Sequence, residues 1–215
     1  MSKPIAILSA SRTPMGGMMG SLSAVSAADL GAAAISAALE KSNLSVAEID
    51  EVLMGCVLSA GVGQAPARQA ALAAGLTKET PCTTINKVCG SAMKAVMMGC
   101  NALRAGQVTT VVAGGMESMS RAPYLIPQGR QSYRFGHAQM LDHMQYDGLQ
   151  DAYQGAAMGV FAEKCADKYS FSREHQDAYA IESLRRANAA IDNGWFDQEI
   201  APVTISSRRG DVVVD

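Results

Sequence analysis

The stretch Asn86 to Ala95, NKVCGSAMKA, sets a cysteine where a strand-like run stops and a helical pattern begins. A cysteine there can act as a nucleophile toward an electrophilic carbon. Upstream, Thr83-Thr84-Ile85 reads as a short buried strand, and Thr83 to Val88 is the span expected to lie in the sheet. Downstream, Met93, Val96, Cys100 and Leu103 recur at helical spacing until Gly106, a residue that ends helices in the left-handed conformation. This spacing places Cys89 in the first helical turn, where unpaired N–H groups and the positive end of the macrodipole favour an anion. Gly90, Ser91 and Ala92 are small and leave the sulfur approachable. No side chain inside the motif is a proton acceptor, so a base for the thiol must come from elsewhere. Free cysteine is also among the most buried residue types, and that plainer reading suits Cys56 in VLMGCVL and Cys100 on the apolar helix face.

The elements that must hold Cys89 alternate between strand-like and helix-like runs, the pattern of a mainly parallel sheet covered by helices. Strands are expected at Ile5 to Ala10, Glu51 to Leu58, Thr83 to Val88 and Val108 to Ala113. The first helix opens at Ser26, where Ser26 and Asp29 make a capping pair ahead of an Ala/Leu/Ile-rich run. A second helix runs from Pro66 to Ala74 and stops at Gly75. After Met119 the Ala/Val pattern gives way to Tyr, Gln, Arg and Met, an excursion out of the sheet. Two helices follow, about Tyr153 to Tyr169 and Ser172 to Asn193, the second with Ile181, Leu184 and Ile191 on one face. The fold class is therefore α/β, with a sheet-bearing unit over 1–118 and an excursion over 119–215.

Composition narrows the classes. The 215 residues are 48% hydrophobic and carry a net charge of −2, with no basic field for nucleic acid. Five cysteines, an odd number without a CxxC pair, argue against a disulfide framework and against a zinc site. No apolar run approaches the length needed to cross a membrane, and the start MSKPIAILSASR holds too few apolar residues for a signal-peptide core. A cytoplasmic protein is expected.

Several motifs in order carry a family resemblance: SASRTPMG (Ser9 to Gly16), GQAPARQAALAAGL, NKVCGSAMKA, AGGMESMS, MGVFAEKCA (Met158 to Ala166), FSREHQDAYAIES and RRGDVVVD. Together they resemble the thiolase family, and within it the acetyl-CoA acetyltransferase type, over essentially the whole chain. The resemblance implies a layered α/β fold with a loop domain, and acyl transfer between coenzyme A thioesters through a cysteine-bound intermediate. It implies Cys89 as the acylated residue, Met158 as a lining of the acyl pocket and Leu149 as a contact to coenzyme A. Methionine in an Ala-rich helix also fits plain core. Biosynthetic members commonly have His before this Met, and Ala157 stands here. Coenzyme A thioesters would be substrates, with no metal and no further cofactor. The partners implied are a second copy of the chain or a complementary C-terminal half.

Family members run on for roughly as many residues again. Their Gly-His-Pro histidine, Asn-Glu-Ala-Phe segment and Cys-x-Gly cysteine have no counterpart in this sequence. Its histidines are His137, His143 and His175, none between Gly and Pro. His175 reads as solvated surface in a first helical turn, and His137 and His143 as residues of a polar loop. Glu117 in GGMES reads as an acid tying a loop to backbone N–H groups, and Gly114-Gly115 as a site of close backbone packing. A ketoacyl synthase shares the cysteine turn, but GGMESMS and RRGD argue against it. A non-catalytic binding or assembly module that kept Cys89 is not separated from a half-thiolase by sequence.

Overall fold

The structure, a computed structural model, describes residues 4–131, 133–208 and 210–215. Its centre is a three-stranded parallel sheet in the order β2-β1-β3, with β1 at Glu51–Gly55, β2 at Cys82–Ile85 and β3 at Val111–Gly115. Leu53 of β1 pairs with Thr83 and with Ala113, so β1 is central and both its neighbours run parallel to it. Side chains alternate across the sheet. Val52, Met54 and Cys56 face one layer, in which helix α1 (Ala27–Ser42) packs on helix α2 (Pro66–Ala73) around Ile35, Leu39, Ala67 and Ala70. Helix α3 (Ser91–Arg104) lies on the opposite face.

Local chemistry starts these helices as expected. Ser26 caps α1, accepting from the Asp29 N–H at 3.1 Å while its hydroxyl donates to the Asp29 carboxylate at 2.7 Å. Pro66 opens α2, where its missing N–H costs nothing. Glycines at the ends of β1 and β3 admit α3. A Cβ on Gly55 would stand 2.7 Å from the Ser91 Cβ, and one on Gly115 would stand 2.7 Å from the Ala92 Cβ. The expectation of close packing at Gly114-Gly115 is met there.

Several expectations change. The Ile5 to Ala10 segment is not a strand: it makes no ladder, and Ile7 and Leu8 are exposed. It is held instead by other partners. Ser9 donates to the Ala38 carbonyl, Lys41 donates to Ser11, and Arg12 bridges to Ile200 and pairs with Glu199 at 2.8 Å. A groove of about 440 Å³ lies between this segment and the outer edge of β3. Among the described residues the sheet therefore has three strands rather than the four expected. The other strands are also shorter or shifted against expectation, with β1 ending at Gly55, β2 at Ile85, and β3 beginning at Val111.

The excursion after Met119 holds two small antiparallel ribbons. One joins β4 (Tyr124–Leu125) to β5 (Leu141–Asp142), and the other joins β6 (Val203–Ile205) to β7 (Val212–Val214). Between them run helix α4 (Met158–Tyr169), shorter at its start than expected, and helix α5 (Arg173–Asp192). The Ile181, Leu184 and Ile191 face of α5 is exposed rather than packed. No helix among the described residues is long and apolar enough to cross a membrane.

Candidate active site

Cys89 is exposed and sits between β2 and α3. It lies one residue before Gly90, the N-cap of α3, and not inside the first turn as its spacing suggested. The cause is the backbone at Val88, which has φ 49, a left-handed conformation that a β-branched residue rarely adopts. This reversal ends the strand early and delays the helix by two residues.

The turn is held by its own side chains. The Asn86 carboxamide oxygen accepts from the Val88 N–H at 2.9 Å. The Ser91 hydroxyl accepts from the Lys87 N–H at 2.8 Å and donates to the Val88 carbonyl at 2.6 Å. Ser91 is 5% exposed, whereas Val88 beside it is 48% exposed. The N–H groups of Gly90 and Ser91 close further bonds to the Lys87 and Val88 carbonyls. Cys89 is exposed in a loop whose polar groups are engaged on either side of it. From sequence, Asn86 had no role and Ser91 counted only as a small residue beside the sulfur. The signal was present in Asn86, a residue type that favours turns by bonding its own backbone two residues on.

Glu117 reaches back across the end of the sheet. Its carboxylate accepts from the Val57 N–H at 2.8 Å and the Leu58 N–H at 3.2 Å, and the Cys56 thiol donates to it over 3.7 Å. It ties one loop to another, as its sequence context indicated. Burial first, then the Glu117 charge, pushes the Cys56 thiol up to about 12, so Cys56 is an inert core residue. Burial also raises the Cys82 thiol, with Arg68 acting the other way.

His143 corrects the reading of a polar loop residue. It is 5% exposed; its Nε2 accepts from the Ala60 N–H at 3.3 Å, and its Nδ1 lies 2.6 Å from the Asp147 carboxylate. These partners assign the tautomer with the proton on Nδ1. The imidazole thus bolts the helical turn Met144–Leu149 to the loop after β1. His137 and His175 are exposed, and His175 stands in the first turn of α5, where its N–H donates to Ser172.

Leu149 ends that helical turn and Met158 is the first residue of α4; both are exposed. The Gln150–Ala157 bridge lies immediately between them, and so it brings both residues to one end of a closed loop. The groove beside β3 includes Cys100 but none of Cys89, Leu149 and Met158.

Residues 5–215 match the thiolase N-terminal domain family. The chain belongs to the thiolase family. It is 50% identical over 208 residues to acetyl-CoA acetyltransferase 2 of Arabidopsis thaliana, covering 97% of this chain and 52% of the plant protein. It is 47% identical over 207 residues to an acetyl-CoA acetyltransferase of Pseudomonas aeruginosa, covering 96% and 53% of the two chains. Among solved structures, Acat5 thiolase from Ascaris suum, in complex with coenzyme A, superposes with a TM-score of 0.88 at 46% identity, covering 92% of this chain and 51% of that one. The chain spans about half the length of these relatives.

Proposed function

We propose that this chain carries the nucleophile-bearing half of an acetyl-CoA acetyltransferase, and that Cys89 is the residue that is acylated. The observation that carries the reading is the exposure of Cys89 on a braced turn at the ends of β1 and β3, against the burial of Cys56. The Cys89 thiolate attacks the thioester carbonyl and the coenzyme A thiolate leaves, giving an acyl-cysteine. The Cys89 backbone N–H is one donor to the oxyanion, and the second donor, the activating histidine and the second cysteine come from a complementary half. Leu149 and Met158, brought to one loop end, serve the coenzyme A and acyl contacts. The working protein is cytoplasmic and assembles with a second copy or with that half.

The test is cleavage of acetoacetyl-CoA with free coenzyme A, with Cys89→Ala as background. The chain alone is expected to turn over at or near background, because nucleophile, base and oxyanion donors act as a unit. Addition of a relative's C-terminal half is expected to raise the rate in the Cys89 chain only. Equal rates for Cys89→Ala would refute the assignment, and failure of complementation would favour a non-catalytic module.

A further inference from the structure

We infer that Ser91 is a positioning residue for Cys89: its buried hydroxyl, with help from Asn86, holds Val88 in a left-handed conformation and thereby keeps the Cys89 sulfur presented outside α3. The inference rests on the reading of Cys89 as the nucleophile. A valine at φ 49 is unfavourable by itself, and such a conformation persists only where its surroundings over-determine it. Val88 receives little from its side chain, which is half exposed. Its backbone supplies the restraint, with the N–H given to Asn86 and the carbonyl taking both the Ser91 hydroxyl and the Ser91 N–H.

Ser91 is placed for this work by the sheet. Its Cβ and backbone lie against the Gly55 position at the end of β1, so the hydroxyl has a fixed origin from which to reach Lys87 and Val88. A relaxed Val88 would return to the extended or helical region that its side chain prefers. Either change swings Cys89 relative to the helix axis, toward the strand or into the first turn. The strain is thus part of how an exposed thiol is held at a defined place.

The experiment measures alkylation of Cys89 by iodoacetamide at neutral pH, by peptide mapping, with exposed Cys165 of the same molecule as internal reference. Four chains are compared: the parent, Ser91→Ala, Val88→Gly and the double variant. Ser91→Ala is expected to lower the Cys89 to Cys165 rate ratio about five- to tenfold, the scale of one buried hydrogen bond. Glycine accepts positive φ without a brace, so Val88→Gly added to Ser91→Ala is expected to restore the ratio to within about twofold of the parent. Urea midpoints of the same four chains are read beside the ratio, and a ratio that only follows the midpoint overturns the inference. Should Ser91→Ala not fold, Asn86→Ala at an exposed position removes the other brace and is expected to move the ratio in the same direction, again repaired by Val88→Gly. A fast Cys89 whose ratio is untouched by these variants, or a double variant no better than the single one, overturns the inference. A parent Cys89 no faster than Cys165 overturns the nucleophile reading and the inference with it.

Discussion

Substituting Gly55 by alanine tests whether the end of β1 sets the position of the cysteine turn. The added Cβ would stand 2.7 Å from the Ser91 Cβ and 2.8 Å from both the Ser91 carbonyl carbon and the Ala92 nitrogen. Ordinary carbon contacts lie near 3.5–4.0 Å, so the start of α3 must retreat by about 1 Å. Two of the opposing atoms are backbone, and α3 is also seated at Gly115 and at Gly99, where the Val111 Cγ1 would be 3.1 Å from a new Cβ. Overpacking of this kind costs about 1–3 kcal/mol, and the higher end applies because no flexible side chain can give way. Loss of glycine's backbone entropy in the unfolded chain returns about 0.5–1 kcal/mol. The net is about 2 kcal/mol. With a urea slope of roughly 2–3 kcal/mol/M for a chain of this size, the unfolding midpoint falls by about 0.7–1 M. Gly159→Ala in α4, where nothing lies within 4 Å, is the control and is expected to stabilise by about 0.5–1 kcal/mol through helix propensity. Urea unfolding followed by far-UV circular dichroism reads both. A Gly55→Ala midpoint within about 0.2 M of the parent, together with unchanged Cys89 labelling, would refute the packing argument.

Glu117→Ala removes the acceptor from two backbone N–H groups, and we expect a loss of about 2–4 kcal/mol by chemical denaturation, with Glu117→Gln losing about half as much because its carbonyl still serves one of them. The Asp50 carboxyl is held below the ordinary carboxylate range by the Thr109 N–H first, then the Thr109 hydroxyl, then the Thr110 N–H. A depressed folded-state value means that the contribution is present above the unfolded value and is lost as pH falls through the folded one. Asp50→Asn is therefore expected to destabilise at pH 7 and to flatten the acid limb of the stability profile below about pH 4, read as urea midpoints from pH 7 to pH 2. Glu182 on α5, pushed down to about 2 by hydrogen bonds from Arg185 and then Arg186, is only partly covered and its partners lie in solvent, so Glu182→Gln is expected to leave the midpoint unchanged.

The parts legible from sequence were those written in local chemistry. Ser26 and Pro66 announced their helices, the apolar runs announced β1 and β3, and the NKVCGSAMKA motif announced a strand-to-helix turn. The parts misread depended on partners distant in the chain. Ile5 to Ala10 has the composition of a strand, but a strand needs a neighbour; its Ser9 hydroxyl goes instead to α1, and the backbone just beyond it, at Arg12, bonds Glu199 and Ala201. The apolar stripe of α5 has helical spacing, yet spacing records only that a face is apolar and not what covers it. His143 looked like a loop residue because its acceptor role depends on Ala60, 83 positions away. Val88 gave no signal at all, since valine is a poor choice for positive φ.

Under the role proposed for Cys89, its positioning and its activation are separate matters. Every hydrogen bond that fixes the turn comes from within residues 86–91, and the surface on which α3 starts is supplied by Gly55 and Gly115. A base is another matter. His143, an internal candidate for that role by residue type, has Nδ1 against Asp147 and Nε2 receiving the Ala60 N–H, so it would have to break a buried bond before accepting a proton from a thiol. Glu117 has both carboxylate oxygens engaged by Val57 and Leu58. Each is therefore a structural tie between loops, and the proton acceptor that turnover requires is not drawn from these two groups. Under the proposed half-thiolase reading, the thiol held by this turn is expected to label with small electrophiles while the chain by itself does not turn over.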